Sequence, residues 1–115
     1  MAAARRHYLA AKSACVTRYP DSLAEQSDCR SRAADLHIRP VYRYGDLMTR
    51  AQQRRRELAI QADRHETSRA TYNREVARSE AAVAREENRR DAVRAREREA
   101  GPLEPLVQSI ADLFR

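Results

Sequence analysis

Only two Gly and four Pro interrupt this chain of 115 residues, at positions 20, 40, 45, 101, 102 and 105. Between them the sequence is dominated by Ala, Arg and Glu, all good helix formers. So little turn material excludes a loop-rich or β-rich fold and leaves an all-α one. Alanine supplies much of the 42% apolar content, and Val, Ile, Leu, Met and Phe are scarce, so the core is expected to be small.

The spacing of the remaining apolar residues predicts the helices one by one. Residues 2–18 carry Tyr8, Ala11, Cys15 and Tyr19 on one stripe, widened by Leu9 and Val16. Tyr19 precedes Pro20 and is pushed out of helical geometry. Asp21 or Ser22 can then cap a second helix, with Glu25 at capping-box distance from Ser22. That helix runs to about His37, with Leu23, Gln26, Cys29, Ala33 and Leu36 on one face, and Arg39-Pro40 ends it. In the connector that follows, the rings of Tyr42 and Tyr44 are expected to plug one end of a bundle. Asp46 is a good N-cap for a third helix carrying Leu47, Ala51, Leu58 and Ala62 inward.

Around residues 65–68 the pattern weakens without any Gly or Pro. Thr67 or Ser68 can cap a fourth helix with Tyr72, Val76, Ser79 and Val83 inward, and the alternative is one unbroken helix over 46–99. After Val83 the helix is polar all round and supported by pairs such as Glu86/Arg90, Asp91/Arg94 and Arg96/Glu99. The expected architecture is all-α. Two antiparallel helical hairpins, at 2–38 and 46–99, the second long and coiled-coil-like, form a bundle over 1–100. A short amphipathic helix over 101–115 follows.

That last segment holds the densest apolar face in the chain. Leu103, Leu106, Val107, Ile110, Leu113 and Phe114 recur at three- and four-residue steps and share one side of a helix. Ordering the segment costs more than burial of its own side chains returns, so it needs a ready surface. It can pack back on its own bundle, dock to another chain or a second copy, or enter a membrane interface. The local balance of −1 argues against the last, because interfacial helices carry a basic polar face.

The net charge of +6 divides into +4 over 1–44, +3 over 45–100 and −1 over 101–115, so the middle of the chain is nearly balanced. Arg54-Arg55-Arg56, with Arg50, is the sharpest basic run and could grip phosphates. On a helix these side chains fan over nearly a full turn, so at least one points toward the core side. Glu57 and Asp63 dilute the run, and no aromatic platform interleaves it. A solvated, ion-paired face is the plainer reading. His7, His37 and His65 lie far apart in sequence without ligand spacing, and nothing marks a nucleophile turn or a general base. No metal, cofactor or enzymatic activity is implied.

Cys15 and Cys29 are the only cysteines and sit on the inward stripes of helices joined by a tight Pro turn. They either form a disulfide that ties the first hairpin or remain two small buried apolar side chains. A disulfide would imply the periplasm, secretion or the mitochondrial intermembrane space. No run of eighteen or more apolar residues could span a bilayer. The first twenty residues lack the continuous apolar stretch of a secretory signal and are faintly like a mitochondrial transit peptide. Export therefore implies that a signal has been removed, and a mitochondrial or cytoplasmic location stays open.

Two stretches resemble known groups. Leu58-Ala59-Ile60-Gln61-Ala62-Asp63-Arg64-His65-Glu66-Thr67-Ser68-Arg69-Ala70-Thr71-Tyr72 resembles the helix-turn-helix of small bacterial SHOCT-type modules. His65 stands where that pattern has Gly, and Glu66 where it has an apolar residue. Arg39-Pro40, Tyr44-Gly45-Asp46-Leu47 and Glu86-Glu87-Asn88-Arg89-Arg90 are similar to stretches of two-cysteine helical exported proteins from GC-rich bacteria. The Cys pair is also faintly like that of mitochondrial coiled-coil-helix proteins, which carry two such pairs. The resemblance implies hairpin geometry and export, and no chemistry. The expected function is that of a non-enzymatic structural subunit. It would dock to a protein partner or to itself through Leu103, Leu106, Val107, Ile110, Leu113 and Phe114. The alternative is an Arg-mediated binder of nucleic acid or anions using Arg50, Arg54, Arg55 and Arg56.

Overall fold

A computed structural model describes residues 2–100. Among these residues four helices follow one another, α1 (Ala2–Arg18), α2 (Leu23–His37), α3 (Gly45–Asp63) and α4 (Arg69–Ala100), with a 3-10 turn at Arg39–Val41 before α3. The all-α class and the helical hairpins expected from the sequence are what the chain adopts. The chain divides into two compact units between Val83 and Ala84.

Local signals set the helix ends. Ser22, not Asp21, caps α2: its backbone is extended and its Oγ accepts from the Glu25 amide at 3.1 Å. Asp46 does not cap α3, which begins at Gly45 with Tyr44 at the cap position. It lies instead in the first turn, where a negative charge still complements the exposed amides. The chain breaks between α3 and α4, so the unbroken helix is ruled out. The Glu66 amide bonds back to the Gln61 carbonyl at 2.9 Å, and the His65 amide to Ala62 at 3.0 Å. These are the two bonds of a Schellman motif, whose left-handed position falls on His65 at φ 58°. His65 thus holds, without being glycine, a left-handed backbone that L side chains rarely adopt. Ser68 then caps α4, accepting from the Thr71 amide at 3.1 Å.

In the first unit α1 packs on α2 and α2 on α3, so α2 lies between two neighbours. At about 100° per residue, Ser27, Arg30, Ala33 and Ala34 share one sector of α2, and three of these four are buried. Small side chains let the neighbouring backbones approach. The core is correspondingly modest: among the described residues Leu47 is fully buried, and the other buried apolar residues are Leu58, Ala59, Cys15, Ala33, Ala34 and Tyr44.

Several expected core positions turn outward. Leu36 is 69% exposed, because stepping from 26 to 29 to 33 to 36 drifts backward around the helix and leaves the sector centred on Arg30. Leu9 and Val16 are exposed for the same reason, about a quarter turn from the stripe that carries Tyr8 and Cys15. Tyr44 is buried, whereas Tyr42, edge-on to it with ring centroids 6.1 Å apart, is half-buried. Tyr72, Val76, Ser79 and Val83 are only partly covered, and α4 contributes no buried residue among those described. Side-chain bridges link α4 to its neighbours in the first unit. In the second unit the helix runs through Ala84–Ala100, with Glu86 accepting from both Arg89 and Arg90.

Candidate functional site

Cys15 and Cys29 form a disulfide, with Cα atoms 5.7 Å apart. Cys15 is buried, and the bridge ties α1 to α2 five residues before Pro20 and six after the start of α2. The Ser22–Asp63 contact closes the α2–α3 side. Asp63, the last residue of α3, accepts from the Leu23 amide and the Ala24 amide at 2.9 Å each, and from Ser22 Oγ at 3.2 Å. A carboxylate on one helix thereby satisfies two free amides at the start of another.

The four arginines singled out in the sequence do not form one array. Arg54 pairs with Glu57 one turn ahead, at 3.4 Å, and Arg56 reaches across to Asp28 on α2, at 3.0 Å. Arg50 is exposed on α3. Arg55 alone turns inward, its side chain only 12% exposed. Its Nη2 donates to Glu80 Oε1 of α4 at 3.3 Å, and Arg30 of α2 approaches the same oxygen at 3.8 Å. Arg30 Nε also donates to the Tyr8 hydroxyl of α1 at 3.0 Å. Four helices are thus joined through one chain of polar contacts. Burial pushes the Tyr72 phenol above its ordinary value, against the pull of Arg55, Arg69 and Arg30.

Arg30, Glu80 and Asp63 were not legible as partners in the sequence. Arg30 carries the clearest signal in retrospect, a charged residue at the centre of the sector that Ser27, Ala33 and Ala34 define. Glu80 carries none, because exposed acids at that spacing recur along α4.

His7 and His37, distant in sequence, meet edge-on across α1 and α2 with ring centroids 5.6 Å apart. His65 is exposed in the turn before α4. Among the described residues no group of His, Cys, Asp and Glu is arranged to hold a metal ion. An open apolar groove of about 200 Å³ runs between α2 and α3, bordered by Tyr8, Ala34, Ile38, Tyr42 and Met48. Leu36 and Val41 add exposed apolar surface on α2 and the 3-10 turn. Leu103, Leu106, Val107, Ile110, Leu113 and Phe114 lie outside the described residues. No helix among the described residues is long and apolar enough to cross a membrane.

No protein-family model, curated protein or solved structure matches this chain.

Proposed function

We propose that this chain is a non-enzymatic interaction protein, a small helical subunit that docks to a protein partner or to a second copy through its apolar C-terminal segment. The observation that carries this reading is the imbalance in apolar residues. Six large ones crowd into positions 103–114, whereas the buried set of the helical units holds two leucines among alanines, a disulfide and a tyrosine. Such a segment is stabilised only against a surface already formed. The disulfide supports an oxidising location, which favours an exported protein.

Deleting residues 102–115 and measuring molar mass by light scattering tests this reading. We expect the truncated chain to keep its helical circular dichroism and its cooperative melt while losing self-association or partner capture. A full-length monomer that unfolds on truncation would show the segment to be core, and the proposal would fail.

The alternative, Arg-mediated binding of nucleic acid or anions through Arg50, Arg54, Arg55 and Arg56, draws support from the net charge of +6. It is the weaker reading, because Arg54 and Arg56 are engaged by Glu57 and Asp28 and Arg55 faces inward. A titration against polynucleotide at rising salt tests it. Binding without a steep salt slope removes it.

A further inference from the structure

Three successive helices each place a cation on their inward face. Lys12 lies on the α1 stripe with Tyr8 and Cys15, Arg30 at the centre of the packed sector of α2, and Arg55 on the face of α3 that carries Leu47 and Leu58. All three line one cavity of about 60 Å³, together with Ser27 and Tyr72. A single water needs on the order of 10–15 Å³ of such space, so there is room for an ion of several atoms.

The polar groups of this cavity are incompletely paired. Ser27 is only 2% exposed, and its Oγ has no hydrogen-bond partner. The Nε of Arg55 is likewise buried without one. The sole carboxylate bridging the guanidiniums is Glu80, which stands between Arg30 and Arg55. Lys12 has no carboxylate partner among the described residues. Three cations against one carboxylate leave two positive charges around a partly desolvated space. Unpaired charge and orphaned donors in such a place are costly unless something accepts from them.

We infer that the cavity between α1, α2 and α3 is a binding site for a small divalent oxyanion, of the phosphate or sulfate class, held by Lys12, Arg30, Arg55 and the Ser27 hydroxyl. The fit is chemical. Guanidinium forks match tetrahedral oxyanions, the ammonium supplies a point charge, and the hydroxyl adds a donor for a further oxygen, which a single-atom chloride does not present. The charge of the ion balances the surplus. Because its ligands come from three helices, the ion would brace the helices against one another. This site is separate from the exposed arginines of α3 and does not depend on the docking reading.

Isothermal titration of the full-length, oxidised protein with inorganic phosphate, and with sulfate, at constant ionic strength tests the inference. Saturable binding at a single site is expected, with a matching rise in melting temperature that chloride does not reproduce. Lys12→Gln and Arg55→Gln should each weaken binding about tenfold or more, and Ser27→Ala should narrow the preference over chloride. Arg54→Gln should leave binding unchanged. Arg55→Gln removes a bridge to α4, so its fold is checked by circular dichroism. Lys12→Gln removes no bridge and decides the matter if Arg55→Gln unfolds. Absence of saturable binding, equal stabilisation by chloride, or an equal loss with Arg54→Gln would overturn the site and leave the cavity to water.

Discussion

At the scale of single residues, two positions show how the chain holds a sharp turn and a helix start without spare glycine. His65 adopts φ 58°, a region in which a β-carbon crowds the backbone. Its side chain is exposed, so nothing in the packing requires a histidine there. His65→Gly should therefore raise stability by about 1 kcal/mol, read as a shift in the denaturant midpoint. An unchanged or lowered midpoint would show that the turn does not sit in that conformation in solution. Asp63 works in the opposite sense. It satisfies the Leu23 and Ala24 amides from forty residues away in the chain, so Asp63→Ala should cost about 1–2 kcal/mol. Asp63→Asn, which keeps an acceptor without the charge, should recover part of the loss. The second effect could not be anticipated from the residues alone. Asp63 reads in sequence as an ordinary helix-end acid, because nothing local says which amides it will meet.

At the scale of elements, the helices differ in what stabilises them. The α1–α2 hairpin is closed by its disulfide, for which chain entropy gives on the order of 3 kcal/mol. The stretch of α4 beyond Val83 has no such device and relies on local pairs. Bonds from Arg89 and Arg90 hold the Glu86 carboxyl at about 2, well below the ordinary 4.5. A depressed carboxylate stabilises the helix while it is ionised. Its contribution is full above the ordinary value and is lost as pH falls through the lowered one, between about 4.5 and 2. NMR of the Glu86 side-chain carboxyl carbon should show a midpoint near the lower end of that window, and Glu86→Gln should reduce helicity at neutral pH while leaving it little changed at pH 2. A midpoint at the ordinary value would mean that the two arginine bonds are not populated.

At the scale of the whole molecule, the decisive fact is how little large apolar surface the described residues bury. Leu47 is the largest fully buried side chain. Truncating a buried leucine costs about 3–5 kcal/mol, a large part of the roughly 5–15 kcal/mol that small domains possess. Leu47→Ala should accordingly leave the chain barely folded or unfolded at room temperature, as measured by urea melts. If it costs less than about 1 kcal/mol, stability resides elsewhere, in the disulfide and the polar bridges. The same scarcity makes the basic cavity prominent. Inward positions that would hold leucines in a larger bundle hold Lys12, Arg30 and Arg55, and polar contacts replace apolar burial where α4 meets its neighbours.

The sequence by itself determined the all-α class, the bounds of α1 and α2 to within a residue, the two-residue windows 21–22 and 67–68 that hold the caps of α2 and α4, and the weak point at 65–68. Each of these follows from hydrogen bonds and backbone preferences that close within a few residues, so they are complete in any short window of chain. The pairing of Cys15 with Cys29 was half legible: their stripes were readable, but bonding and mere burial could not be told apart without the geometry of both helices. The tertiary structure alone decided which side of each helix faces inward. Where a stripe is built from Ala, Ser, Cys and Arg, the apolar pattern is too faint to fix an angle, and the neighbours fix it. That is why Leu36, Leu9 and Val16 point outward while Lys12, Arg30 and Arg55 turn in. It is also why Arg55 leaves the strip of arginines along α3 and meets Lys12 and Arg30 at one cavity.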